Sequence, residues 1–183
     1  MSNGEMEEVV IPLSRVKVIL LSLAAVAFVG ASFWIWSIAD NQPRFHPLFM
    51  RGFALAGAVL FGLCGIYGCI KVFDGKPGLV IDREGVVDNS SAAPAGRIGW
   101  DEITALEVVE VSGQRMLAIR VVDPQKYVER GGPLRRMLNA ANCRMTGSPI
   151  NVSSHALSVN FDDLLRVLTA ALNRHKAARA GEL

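Results

Sequence analysis

Residues 18–38 and 53–70 form two apolar runs that contain no charged side chain. Coiled as an α-helix at about 1.5 Å per residue, each run crosses close to 30 Å of hydrocarbon. Transmembrane helices are therefore expected at about residues 16–38 and 49–73, inside a membrane anchor made of residues 1–76. What remains, residues 77–183, is long enough for one compact domain with its own core and too short for two.

The first run does not read as a cleaved signal. The segment before it is acidic (Glu5, Glu7, Glu8) before it becomes basic (Arg15, Lys17), and the run outlasts the 7–15 residues of a signal core. It ends in Phe33, Trp34 and Trp36, aromatics suited to a membrane–water interface. Between the runs lie Asp40, Asn41, Gln42, Pro43, Arg44, His46 and Pro47. The two prolines break the helix and force a turn, so the helices should be antiparallel neighbours. Small residues recur along each run: Ala24, Ala27 and Ala31 in the first, Ala54, Ala58 and Gly62 in the second. Such stripes let helix backbones approach in lipid, so they are expected to pack the hairpin, or alternatively to pair two copies of it as a homodimer.

Arg15, Lys17, Lys71 and Lys76 flank the terminal side of the anchor, whereas Arg44 and Arg51 lie on the loop side. That bias places both termini in the cytoplasm and the protein, as a multi-pass chain, in the bacterial inner (plasma) membrane. Apart from Tyr67 and two cysteines, neither run contains an ionisable residue, which argues against a transport path.

The formal net charge of +2, with no dense basic block interleaved with aromatics, argues against nucleic acid as a partner. The three cysteines, Cys64, Cys69 and Cys143, make no spaced framework. Cys64 and Cys69 do not share a helix face and have no histidine or carboxylate beside them, so neither a metal site nor a disulfide-built domain is expected, and no cofactor is implied.

From Leu79 the apolar period changes from helix to strand. Leu79-Val80-Ile81 and Val86-Val87 flank Asp82-Arg83-Glu84-Gly85, a hairpin closed by glycine. A Ser/Ala/Pro/Gly-rich loop covers residues 89–96, and residues 98–100 read as a short strand. Residues 104–111 and 116–122 read as a strand pair around Ser112-Gly113, with Leu117, Ile119 and Val121 facing inward. One helical turn follows Pro124. A helix then starts at Pro133, with Leu134, Met137, Leu138, Ala141 and Met145 as its buried stripe and Arg135, Arg136, Asn139 and Asn142 opposite. A short strand at residues 149–153 precedes a last amphipathic helix over residues 161–178. Asn160 is its N-cap, and Leu164, Leu165, Leu168, Ala171 and Leu172 form its buried face. The fold class is α+β: a transmembrane helical hairpin plus a small antiparallel barrel or bent sheet capped by the C-terminal helix.

Gly78-Leu79-Val80-Ile81-Asp82-Arg83-Glu84-Gly85-Val86, Gly99-Trp100-Asp101-Glu102-Ile103, Asn151-Val152-Ser153-Ser154 and Phe161-Asp162-Asp163-Leu164-Leu165 carry a resemblance. They resemble an uncharacterised bacterial family of membrane proteins with two transmembrane helices followed by a pleckstrin-homology-like (PH-like) domain. The resemblance covers nearly the whole chain. It implies fold and topology and supplies no catalytic residues.

Candidate chemistry is sparse. Asp101 and Glu102 are adjacent on a predicted strand and point apart, so Trp100 and Ile103 should enter the core while the acids stay in water. His46, His155 and His175 are dispersed, and no nucleophile elbow places His155 with Ser153, Ser154 or Ser158. Asn151-Val152-Ser153 matches a glycosylation sequon, discounted on a cytoplasmic strand. The segment holding Lys126, Arg130, Arg135, Arg136 and Arg144 is the candidate contact for anionic lipid headgroups or for a membrane protein partner; as an ordinary solvated helix face it would have no such role. These features together point to a non-catalytic, membrane-anchored binding or scaffolding protein. The alternative class is an immunity or inhibitor protein that neutralises a toxin at the membrane.

Overall fold

The computed structural model describes residues 8–91 and 93–181; Glu5 and Glu7 of the acidic leader, and Ala92 of the Ser/Ala-rich loop, lie outside them. The chain divides into two compact units. Arg15–Gly75 is one; the other combines the residues up to Ser14 with those from Lys76 onward.

The first unit is a helical hairpin. Helix α1 (Arg15–Ile38) runs into a 3-10 turn (Ala39–Asn41), and α2 (Pro47–Phe73) returns antiparallel to it. Pro47 sits where helices tolerate proline, and the His46 ring Nδ1 accepts the Leu48 N–H as its cap. Arg51 pairs with Asp40 at 2.5 Å across the turn. Both helices are long and apolar enough to cross a membrane, and only 17% and 6% of their apolar windows are buried within the structure. Leu20, Leu23, Phe53, Leu60 and Leu63 all face outward, a surface that a hydrocarbon solvent suits and water does not.

The packed face of α1 differs from the expected stripe. Ala24, Ala27 and Ala31 are exposed, whereas Val18, Ala25 and Ser32 are buried. Across from them lie glycines: a Cβ on Gly57 would meet Ser32 Oγ at 2.8 Å, one on Gly65 would meet Ala25 at 3.7 Å, and one on Gly68 would overlap Ser22. Ser22 and Ser32 each donate their hydroxyl to the carbonyl four residues back, so both can turn into the contact without an orphaned donor. Phe28 stacks on Phe61 at 4.4 Å. On α2 the expected stripe holds better: Ala54 is buried and Ala58 and Gly62 are half-buried.

The second unit is α+β. Strand β1 (Val9–Ile11) precedes the hairpin in sequence yet pairs antiparallel with β2 (Leu79–Ile81), Val9 opposite Ile81 and Ile11 opposite Leu79. Val9–Ile11 therefore belong to the domain although they precede the anchor in sequence. β3 (Gly85–Asp88) and β4 (Gly96–Gly99) complete a four-stranded sheet in the order β1-β2-β3-β4. Trp100, expected at the end of a strand, instead opens a 3-10 turn (Trp100–Glu102). β5 (Ile103–Val111), β6 (Gln114–Val121) and β7 (Ile150–Val152) make a second, three-stranded sheet. The two antiparallel sheets remain separate, so the described residues form no closed barrel.

Two helices lie between β6 and β7: α3 (Pro124–Val128), capped by Asp123, and α4 (Pro133–Thr146). The last element is α5 (Phe161–Ala180), whose cap Asn160 accepts the Asp163 N–H at 2.8 Å. Leu79, Ile81, Val86 and Ile98 from the first sheet and Trp100 from the turn after it join Leu117, Ile119, Ile150 and Val152 from the second sheet and Leu164, Leu168 and Leu172 from α5 in one core. Both sheets and α5 thus share a single apolar interior.

Two turns depend on glycine for different reasons. A Cβ on Gly85 would sit 2.0 Å from the Ile98 carbonyl oxygen, because β3 and β4 approach closely there. Gly113 has open space around it but a left-handed φ of 76°, following Ser112 at 53°, as the tight β5–β6 hairpin requires. Gly113→Ala should cost about 1 kcal/mol from backbone strain alone. Gly85→Ala must also displace a paired strand and should cost about 2–3 kcal/mol. Urea titrations of the reconstituted full chain, read by tryptophan emission, would show whether that order holds.

Candidate functional site

The basic segment expected to contact lipid or a partner begins where β6 ends. Asp123 accepts the N–H groups of Gln125 and Lys126 and starts α3. This short helix buries Tyr127, whose hydroxyl donates to the Glu102 carboxylate at 2.5 Å, while the Lys126 ammonium pairs with the other oxygen of that carboxylate. The hydrogen bond from Lys126 and then that from Tyr127 hold the Glu102 carboxyl below the usual carboxylate range, against a smaller opposing effect of burial. Burial in turn pushes the Tyr127 phenol up, and its hydrogen bond to Glu102 adds to the effect. The Arg130 guanidinium stacks 4.4 Å over the Tyr127 ring and donates to the carbonyls of Ala95 at 2.7 Å and Arg97 at 3.1 Å. Lys126 and Arg130 are therefore occupied within the domain, tying α3 to the first sheet and its connection to the second.

α4 is oriented opposite to expectation. Most of the expected buried stripe faces outward: Leu134 is 66% exposed, Met137 61% and Met145 60%, Ala141 is also exposed, and Leu138 is half-buried. The polar side turns inward, with Asn139 and Thr146 buried and Asn142 half-buried. Specific hydrogen bonds account for this. Asn139 Nδ2 donates to the Tyr127 carbonyl at 2.8 Å, at the end of α3. Thr146 Oγ1 bonds the carbonyls of Asn142 and Ser148. The buried Ser148 hydroxyl donates to the Ile119 carbonyl at 2.6 Å. Gly147, left-handed at φ 73°, ends the helix, and its carbonyl accepts from Arg120, which also pairs with Glu107 at 2.7 Å. A buried carbonyl without a donor costs about 1–3 kcal/mol, and the polar face of α4 supplies several such donors. The opposite face is left in contact with solvent, although burying Leu134, Met137 and Met145 would be worth about 1.5–3 kcal/mol each.

Arg135, Arg136 and Arg144 border the exposed apolar face. Among the described residues none has a carboxylate within ion-pair distance. Arg136 Nε does donate to the carbonyls of Glu129 at 3.0 Å and Gly131 at 3.1 Å, closing the end of α3. The five basic residues of the segment thus differ: Lys126 and Arg130 tie α3 to neighbouring elements, Arg136 closes the end of α3 through backbone carbonyls, and Arg135 and Arg144 border the apolar side chains with no carboxylate in ion-pair range among the described residues. Sequence periodicity locates the apolar stripe, and in the fold all of it except the half-buried Leu138 faces outward.

The remaining candidates disperse. Trp100 and Ile103 enter the core, and the Trp100 indole donates to the Asp82 carbonyl at 2.9 Å. Asp101 turns to Arg179 and His175, away from the Lys126 and Tyr127 that hold Glu102. Ser153 and His155 hydrogen-bond to each other on the surface. A shallow depression along α5 is lined by Asp162, Leu165, Arg166, Thr169, Ala170 and Asn173, and its charged members already pair, Asp162 with Arg115 and Arg166 with Asp163. Among the described residues no cluster of three His, Cys, Asp or Glu side chains is placed to hold a metal ion. No protein-family model matches the chain, nor does any curated protein or solved structure.

Asn139→Ala removes the donor to the Tyr127 carbonyl and should destabilise the domain by about 1–3 kcal/mol. Leu134→Ala and Met137→Ala should stay within about 0.5 kcal/mol in phosphatidylcholine vesicles. Equilibrium unfolding in urea distinguishes this order from the reverse, which a conventionally buried apolar stripe would produce.

A second prediction concerns acid. Arg97 binds the Asp82 carboxylate through two hydrogen bonds, at 3.0 and 2.8 Å, and holds its pKa below the usual value, as Lys126 does for Glu102. Both folded-state values lie below those of the unfolded chain, near 4 for these residue types. The stabilisation is therefore complete above about pH 4 to 5 and is lost as pH falls through the depressed folded values. Glu102→Gln should flatten the acid limb of a stability–pH curve, and a curve unchanged from that of the unsubstituted protein would refute the assignment.

Proposed function

We propose that this protein is a membrane-anchored, non-catalytic binding or scaffolding module, with a PH-like domain presented at the cytoplasmic face of the bacterial inner membrane. The observation that carries the reading is the hairpin Arg15–Gly75, whose two helices keep their large apolar side chains on the outside. The excess of Arg15, Lys17, Lys71 and Lys76 over Arg44 and Arg51 supports cytoplasmic termini. Antiparallel strands followed by a C-terminal helix packed into their core support the PH-like assignment. The binding role is favoured by arginines that, among the described residues, have no carboxylate partner and lie beside an exposed apolar face, while Lys126, Tyr127 and Arg130 serve contacts within the domain. The partner in this reading is the bilayer itself or a protein within it.

Sided labelling tests the topology. In a background with Cys64, Cys69 and Cys143 replaced by alanine, Ser158→Cys should react with a membrane-impermeant maleimide in inverted vesicles and not in intact spheroplasts. His46→Cys should show the opposite pattern. Labelling of Ser158→Cys in intact spheroplasts would overturn the cytoplasmic placement, and extraction of the protein by alkaline carbonate would overturn the transmembrane anchor.

A further inference from the structure

We infer that α4 is an interfacial helix whose outward apolar face dips into an anionic bilayer while its arginines bind the headgroups; this rests on the membrane-anchored reading above. Over 14 residues the helix is about 21 Å long. At roughly 100° per residue, Leu134, Met137, Leu138, Ala141 and Met145 fall within an arc of about 100°. Arg144 borders that arc on one side with Arg136 beyond it, and Arg135 borders the other side. This is the arrangement of helices that lie in the plane of a membrane: unbranched or flexible apolar side chains below, and cations with long stems at the edges that keep their charge among the headgroups.

Three observations favour lipid over other occupants. The inward face of α4 is already committed to the domain through Asn139 and Thr146, so the outward face is not a misplaced core surface. The bordering arginines lack carboxylate partners among the described residues, which leaves a positive rim complementary to anionic headgroups. The domain is joined to the hairpin by Pro12-Leu13-Ser14 on one side and residues 74–78 on the other, so a bilayer spanned by the hairpin is the apolar partner at the highest local concentration.

The test uses the full chain, with its three cysteines replaced by alanine, reconstituted into vesicles of phosphatidylcholine alone or mixed with phosphatidylglycerol. Nitroxides are attached at Met137→Cys, Met145→Cys, Ser158→Cys and Leu60→Cys, and their collisions with oxygen and with a water-soluble nickel chelate are compared. In anionic vesicles the labels at 137 and 145 should gain oxygen contact and lose nickel contact relative to the label at 158. Arg144→Gln should lower the docked-to-undocked ratio about fivefold, with Arg136→Gln acting in the same direction. Nickel access at 137 and 145 equal to that at 158 in both lipid mixtures would overturn the proposal. So would protection that follows protein density with spin–spin broadening, which would assign the face to a second copy of the chain. Nickel access at position 60 would instead show that the hairpin does not span the bilayer, and the underlying reading would fail together with the inference.

Discussion

The pairing of Val9–Ile11 with Leu79–Ile81 is the constraint around which the chain is arranged. These strands are neighbours in the sheet, yet the whole of Arg15–Gly75 lies between them in sequence. Such an insertion is tolerable only if its two ends return close together, and an antiparallel helical hairpin meets that condition. Within the hairpin, Gly57, Gly65 and Gly68 bring α2 close to Ser32, Ala25 and Ser22. Within the domain, Ile11, Leu79 and Ile81 all enter the common core. Val9–Ile11, ahead of the first helix, thus have a packing role in the domain.

The domain is organised around buried backbone groups as much as around apolar side chains. Glu102 collects Tyr127, Lys126 and the Gly99 N–H at the turn between the two sheets. Asp88, 2% exposed, accepts from the Ser90 and Ala95 N–H groups and closes the loop between β3 and β4. Asn139, Thr146 and Ser148 perform the same service for carbonyls near the ends of α3, α4 and β6. Because an unsatisfied buried carbonyl is costly, these contacts choose which side of α4 turns inward. Its apolar side then becomes the outer surface, with Arg135, Arg136 and Arg144 at its borders. The candidate binding surface follows from how the interior satisfies its polar groups.

Much of the architecture was legible in the residues. The two apolar runs, the hairpin at Asp82–Gly85, the Ser112-Gly113 turn and the capped helix after Asn160 rest on local signals that tertiary context rarely overrides: length in hydrocarbon, positive φ and cap chemistry. Strand β1 has no legible signal, because three apolar residues beside a long apolar run do not stand out; only a partner some seventy residues away makes Val9–Ile11 a strand. The small-residue stripe on α1 failed by one position. Ala24 and Ala25 are equally small, and which of them faces α2 depends on the rotation of the packed pair. Lys126 and Arg130 read in sequence as candidate contacts for lipid or a partner, whereas in the fold they bind Glu102 and the carbonyls of Ala95 and Arg97, which lie far from them in sequence.

By itself, the sequence determined the period and composition of each segment: which stretches suit hydrocarbon, which alternate as strands, and which helices have one apolar side. Those properties depend on neighbours within a few residues, so they can be read without a fold. The tertiary structure alone decided the direction in which each side faces. For α4 that choice was made by donors and acceptors distant in sequence, Asn139 with Tyr127 and Ser148 with Ile119, and it turned an expected core stripe into an exposed surface.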